Sequence, residues 1–132
     1  MNVTRWQIIQ RGLQCRCPNC GNHSLFPPKS LRIRERCPVC ETLFHRGPGF
    51  FLGPLVINYT IAVFVFVLPA IVAGVSDVIP WVVALVLAGL GCVVIPALLY
   101  RYTWSWWLMG YFYFQPESLP ANGGPIGKDE ED

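Results

Sequence analysis

Four cysteines occur in two pairs whose spacing is typical of a metal site. Cys17 and Cys20 enclose the segment CPNC, and Cys37 and Cys40 enclose CPVC after sixteen intervening residues. The pattern C-x2-C-x16-C-x2-C indicates zinc. Four thiolates complete the tetrahedral coordination of Zn²⁺ and leave no position for water or substrate. The sequence therefore predicts one structural zinc ion, with iron in a rubredoxin-like site as the alternative metal and two disulfides as the alternative pairing.

Three further residues near these pairs could ligate a metal. Cys15 is expected to be a spare thiol; the alternatives are exchange with Cys17 as a zinc ligand and a Cys-x-Cys pair for copper. His23 and His45 could replace a cysteine or orient one. Because the cysteines already supply four sulfurs, we expect both histidines either to lie close to the metal without binding it or to be exposed to solvent.

The segment between the cysteine pairs predicts a short β strand. In LFPPKSLRIRER, apolar and basic residues alternate around Leu31 and Ile33. A module this small, residues 14–46, buries too little apolar surface to fold without its metal. We therefore expect a small zinc ribbon of β and irregular structure.

Two long uncharged segments follow the ribbon. Residues 50–75 and 81–100 contain no charged side chain, and the segment SDVIP at 76–80 separates them. A membrane span needs about 20 apolar residues. We expect two transmembrane helices joined by a short external loop, so the predicted fold is a zinc ribbon followed by an α-helical hairpin.

The basic residues indicate which way the hairpin crosses the membrane. Eight of the ten Lys and Arg residues lie in the first 49 residues, two follow the hairpin, and the loop has none. Because basic residues concentrate on the cytoplasmic side, both termini should be cytoplasmic. Disulfides are rare in that compartment, which favours the metal over cysteine pairing.

Side chains within the hairpin predict how its helices pack. Asn58 is strongly polar in an apolar span, so we expect it to hydrogen-bond to the other helix; a ligand, quinone or ion contact is the alternative. Small residues spaced four apart should let the helices approach closely. They are Ala70 and Gly74 in the first span and Ala84, Ala88 and Cys92 in the second.

The remaining segments flank these two parts. Residues 1–13 predict a helix lying on the membrane surface, with a frayed tail as the alternative, because Thr4 and Gln7 have capping-box spacing. Residues 101–115 are rich in aromatic side chains that suit a membrane interface or a partner protein. The candidates for such contacts are Trp104, Trp106 and Trp107. Residues 116–132 are rich in Gly and Pro and acidic at the end, which predicts disorder.

The composition argues against an enzyme. We find no catalytic Ser-His-Asp spacing, no glycine-rich phosphate loop and no paired carboxylates in the spans, so no small-molecule substrate is expected. Nucleic acid is an unlikely partner, because topology and anionic lipids already explain the basic residues. We expect a noncatalytic accessory or assembly subunit that contacts membrane lipids and a larger membrane complex. Metal (copper) handling, or nucleic-acid or partner binding by the ribbon, is the alternative.

The order of these motifs resembles a known family. The segments CPNCGNHSLF, CPVC and GPGFFLGPLVINY, followed by two spans, look like the domain of unknown function 983 (DUF983) family over residues 13–115. These are small bacterial zinc-ribbon membrane proteins with two transmembrane helices. The resemblance implies a protein of the bacterial inner membrane without an established activity, in a family thought to accompany respiratory oxidase genes. A respiratory complex is therefore the implied partner.

The chain departs from the pattern of that family at two places. Family members often have Gly-His in the first span, where this chain has Ile57 and Asn58. An acidic residue often precedes a Gly-Pro pair, where this chain has Arg46. If the histidine of the Gly-His pair binds a metal or transfers a proton in relatives, we do not expect that role in this chain.

Overall fold

The computed structural model describes residues 2–45 and 47–124. The chain divides into two compact units. The first comprises Met1–Gly53 and Arg101–Asp132, and the second comprises Pro54–Tyr100.

The first unit begins with helix α1, Arg5–Leu13. The side chain of Gln7 accepts a hydrogen bond from the Thr4 backbone N–H at 3.2 Å, which satisfies one of the unpaired donors at the helix start. Ile8 and Gly12 are buried, whereas Trp6 on another side of the helix is exposed. Helix α1 therefore packs through one face.

The second unit contains most of the first apolar helix. Helix α2, Leu52–Ala62, continues through a π-helical turn, Val63–Val67, into helix α3, Leu68–Val75. In this turn the Leu68 N–H donates to the carbonyl of Val63, five residues earlier. Pro69 follows and has no N–H to donate, so the widened turn adapts the helix to a missing hydrogen bond.

Helix α4 runs from Trp81 to Phe114 without a break. We expected a span over 81–100 and a separate aromatic segment over 101–115; the structure instead has one helix of 34 residues. Its residues up to Tyr100 belong to the second unit and those from Arg101 to the first. The continuation has a physical reason, because no proline lies between Arg101 and Phe114 and the isolated Gly110 is tolerated inside a helix.

Both apolar helices are long and apolar enough to cross a membrane. These are Leu52–Val75 and Trp81–Phe114. Only 17% and 11% of their most apolar windows are buried inside the protein. Core helices of soluble proteins would instead pack most of these side chains.

The helices of the second unit meet through small residues. A Cβ atom on Gly74 would lie 2.9 Å from the Ala84 Cβ, and one on Gly91 would lie 2.8 Å from the Phe66 Cβ. The predicted four-residue spacing in α4 is therefore only partly right, because Cys92 is exposed. Gly91 lies seven residues after Ala84, which places it only about 20° away around the helix, so the two share a face. Cys92 lies eight residues after Ala84, about 80° away around the helix, and leaves that face.

The predicted β strand of the ribbon is not formed in the part of the chain that the structure describes. The segment makes one isolated antiparallel bridge, Arg36 with Leu43, and single backbone bonds such as Arg34 N–H to Leu25 O at 2.9 Å. Pro27 and Pro28 explain the difference. They have no backbone N–H, so a ladder that starts at Leu25 cannot continue.

The predicted disorder of residues 116–132 is wrong for residues 116–124. Two 3-10 turns, Pro116–Ser118 and Pro120–Asn122, follow α4. Leu119 is fully buried, and the Asn122 side chain accepts from the Val3 N–H at 2.8 Å and donates to the Val3 carbonyl at 3.2 Å. These contacts order a Gly- and Pro-rich segment. Residues 125–132 lie outside the described part.

Candidate metal centre

The first cysteine pair lies in a tight turn with a left-handed residue. Cys17 N–H donates to the Asn22 carbonyl at 2.9 Å, and Gly21 N–H donates to the Cys17 carbonyl at 2.9 Å. Gly21 has φ of +75°, a conformation that glycine adopts without steric cost. The turn directs the sulfurs of Cys17 and Cys20 to the same side.

The second pair repeats this turn. Cys37 N–H donates to the Thr42 carbonyl at 3.0 Å, and Glu41 N–H donates to the Cys37 carbonyl at 2.9 Å. Glu41 takes the position of the glycine and has φ of +56°. The left-handed turn thus forms without glycine, at the steric cost that a Cβ atom imposes there.

The four sulfurs come together at distances that suit one metal ion. All four lie within 4.8 Å of one another. Cys17 Sγ is 3.6 Å from Cys40 Sγ, and Cys20 Sγ is 3.7 Å from Cys37 Sγ. Sulfurs at the corners of a tetrahedron with zinc–sulfur bonds of about 2.3 Å are separated by about 3.8 Å. A disulfide needs about 2.05 Å, so the cluster fits a metal and not two disulfides.

The electrostatics of the cluster also favour a cation. Burial raises the pKa of the Cys17 thiol well above its usual range, and burial likewise raises the pKa of Cys20. Burial opposes the ionisation of Cys40 too, but hydrogen bonds from Thr42 and from the Asn19 side chain outweigh it and lower its pKa to about 6. The thiols cannot all be charged together without a counter-ion, which a divalent metal provides.

Two hydroxyl groups contact the sulfurs. Ser24 Oγ lies 3.0 Å from Cys37 Sγ, and Thr42 Oγ1 lies 3.1 Å from Cys40 Sγ. Hydroxyls that donate to thiolates stabilise their negative charge and orient the ligands. Our sequence reasoning missed both residues. The available signal was a hydroxyl residue within a few positions of each cysteine pair.

Arg11 of helix α1 supports the first turn. Its Nη1 donates to the carbonyls of Pro18 at 2.9 Å and Asn19 at 2.8 Å. The Asn19 side-chain oxygen accepts from the Ala121 N–H at 3.0 Å. Helix α1 and the C-terminal segment therefore hold the same turn. No sequence motif predicts either contact.

The other predicted ligands lie outside the sulfur cluster. Among the described residues, the group that could hold a metal contains neither Cys15, His23 nor His45. Cys15 is half-buried with φ of +53°, and both histidines are exposed. The His45 ring packs edge-on against Phe50, with ring centroids 6.3 Å apart.

Asn58 bonds to the other apolar helix. Its Nδ2 donates to the Pro96 carbonyl at 2.9 Å, and its side chain is 2% exposed. Its Oδ1 is buried and has no partner among the described residues. The helix-to-helix bond is the arrangement that the polar residue was expected to make.

The three tryptophans pack within the first unit to different extents. Trp104 is buried, whereas Trp106 and Trp107 are half-buried. The Trp107 ring fills the space beside Gly53 and meets the Phe50 ring at a centroid distance of 5.8 Å. Much of the tryptophan surface that was expected to meet a membrane interface or a partner is therefore used inside the unit.

Comparison with known proteins places the chain in a family. A family model described as protein of unknown function (DUF983) matches residues 28–112. This range contains the second cysteine pair, the first apolar helix and all but the last two residues of the second, and the first pair lies before it. No curated protein and no solved structure matches the chain. Because the match covers well over half of the sequence, the chain belongs to the DUF983 family of proteins of unknown function.

Proposed function

We propose that the protein is a noncatalytic, membrane-anchored zinc protein that acts as an accessory or assembly subunit of a larger membrane complex. The observation that carries this proposal is the set of four sulfurs within 4.8 Å of one another, two pairs of which lie at 3.6 and 3.7 Å, close to the tetrahedral separation. With four protein ligands, zinc has no open position for substrate, so its role is to fold and stiffen the ribbon.

The two apolar helices support the membrane anchor. They leave long apolar faces exposed, and lipid is the environment in which such faces are stable. The excess of basic residues before the first span favours a cytoplasmic ribbon, and the family resemblance favours the inner membrane of a bacterium. In that compartment cysteines stay reduced and available to the metal.

The surface of the ribbon supports a docking role. Leu31 and Val39 are 64% and 60% exposed, although they belong to the module that the metal stiffens. A rigid surface loses little conformational entropy on binding. A respiratory oxidase complex is our candidate partner, which the family resemblance favours.

Affinity purification from membranes in mild detergent tests this proposal. We expect oxidase subunits in stoichiometric amounts with the zinc-loaded chain. Cys37→Ser should lose zinc and these subunits while the hairpin still inserts. Cys92→Ser removes an exposed thiol outside the cluster and should retain both. Full recovery of the subunits with Cys37→Ser would refute a zinc-dependent docking surface.

A further inference from the structure

The first unit contains a cavity that the metal centre does not use. Its volume is about 620 Å³, within the size range of small-molecule sites. All its lining residues belong to the first unit. They are Leu13, Gln14, Cys15, Arg16, His23, Leu25, Phe26, Arg101 and Tyr102.

The charges of the lining have one sign. Arg16 and Arg101 contribute guanidinium groups, and among the described residues no Asp or Glu lines the cavity. The Nε of Arg16 is buried and has no hydrogen-bond acceptor among the described residues. A buried donor without an acceptor is costly, and a turn of the Arg16 guanidinium toward an anionic oxygen in the cavity removes this cost.

Arg101 is held in place by an aromatic ring. Its guanidinium carbon lies 4.9 Å from the centroid of the Phe26 ring. This cation–π contact orients a planar group whose paired donors match the oxygens of a phosphate. Because the cation covers that face of Phe26, an ammonium group cannot bind there, and in the part of the chain that the structure describes no carboxylate lines the cavity to receive one.

We propose that the cavity binds the phosphate of an anionic phospholipid headgroup, with Arg16 and Arg101 as the phosphate ligands. Apolar side chains of Leu13 and Leu25 share the lining and suit the carbon atoms next to the phosphate. A free phosphate ester has the same recognition chemistry. The lipid source rests on the membrane anchor proposed above, since Arg101 directly follows the uncharged segment 81–100.

Lipid retention tests this site. The full-length zinc-loaded protein is placed in nanodiscs that mix phosphatidylglycerol with phosphatidylcholine, released into the gas phase, and its retained lipids are counted by native mass spectrometry. We expect preferential retention of phosphatidylglycerol. Arg16→Gln and Arg101→Gln should each weaken this preference by about tenfold, since a hydrogen bond to a charged group is lost.

The matched control is Arg32→Gln, which removes the same charge from an exposed side chain outside the cavity. It should retain the preference for phosphatidylglycerol. Equal losses in all three variants, or equal retention of both lipids by the unaltered protein, would overturn the proposal. Displacement of the lipid by millimolar inorganic phosphate, with retention of phosphate in its place, would overturn the lipid source and identify a soluble ligand.

Two readouts keep failures distinguishable. The zinc content of each variant reports whether the first unit still folds. If Arg16→Gln loses zinc, its lipid retention is not informative, and the Arg101→Gln variant decides the outcome. Lipid retention is measured on the isolated protein, so it does not depend on a partner complex. If the unaltered protein purifies without oxidase subunits but still prefers phosphatidylglycerol, the proposed function is contradicted and this lipid site stands.

Discussion

Ser105 in helix α4 donates a hydrogen bond to the carbonyl oxygen of Gly12 in the last turn of helix α1, at 2.6 Å. Both residues are buried, and they lie 93 positions apart in the sequence. A Cβ atom on Gly12 would lie 2.5 Å from the Met109 Cβ, so the glycine allows α1 to lie directly against α4. This contact joins the helix that supports the first cysteine turn to the end of the second apolar helix.

Ser105→Ala should destabilise the first unit. The substitution removes the hydroxyl that donates to the buried Gly12 carbonyl, which still accepts from the Cys15 N–H at 3.2 Å, so the expected cost is about 0.5–1.5 kcal/mol. Unfolding by denaturant, followed by tryptophan fluorescence in detergent, measures the change. Ser76→Ala, at an exposed position, is the control and should have little effect. Equal stability of both variants would show that the bond contributes nothing to the packing of α1.

Two glycines of helix α4 provide a matched test of the hairpin contact. Gly91→Ala places a Cβ atom 2.8 Å from the Phe66 Cβ, so the helices must move apart at a cost of about 1–3 kcal/mol. Gly89→Ala meets no atom within 4 Å and should be neutral or slightly stabilising. Titration with a denaturing detergent, followed by circular dichroism, distinguishes the two. The reverse order of stability would contradict the helix pairing described here.

Much of this fold follows from sequence pattern. The two uncharged segments predict the apolar helices through their length and composition, and the spacing of Cys17, Cys20, Cys37 and Cys40 predicts the sulfur cluster. The identity of the metal remains a prediction, since any tetrahedral thiolate metal would suit the same geometry.

Other features could not be predicted because they depend on contacts distant in sequence. The Asn122 side chain orders the C-terminal segment by bonding to Val3, 119 positions away. Arg11 supports the first cysteine turn from a neighbouring helix. In the ribbon, two consecutive prolines overrode the alternating pattern that favoured a strand.

Glu41→Gly should tighten zinc binding. A non-glycine residue at φ of +56° carries a steric cost of about 1–2 kcal/mol. Glycine removes this cost but loses more backbone entropy on folding, so the net stabilisation is only part of it. We expect affinity to rise by up to about fivefold in a chelator competition assay. Gly21→Ala should have the opposite effect, since Gly21 has φ of +75°. Weaker binding by Glu41→Gly would contradict the equivalence of the two turns.

Zinc binding should weaken as pH falls. Protons compete with the metal for the thiolates, and burial raises the pKa of Cys17 and Cys20, so both are protonated near neutral pH in the metal-free protein. Binding must then release at least these two protons, and affinity should fall by about 100-fold or more per pH unit. Calorimetry in buffers of different ionisation enthalpy counts the protons. Binding without proton release would exclude these thiols as ligands.

X-ray absorption spectroscopy on the protein purified from membranes, together with metal analysis of the same sample, tests the central claim most directly. We predict one zinc ion per chain, bound by four sulfurs at about 2.3 Å and by no lighter atom. An oxygen in the coordination sphere would indicate bound water at an open position and contradict a purely structural centre, whereas a nitrogen would contradict the set of four cysteine ligands. Copper or iron in place of zinc, or cysteines oxidised to disulfides, would contradict the zinc assignment itself.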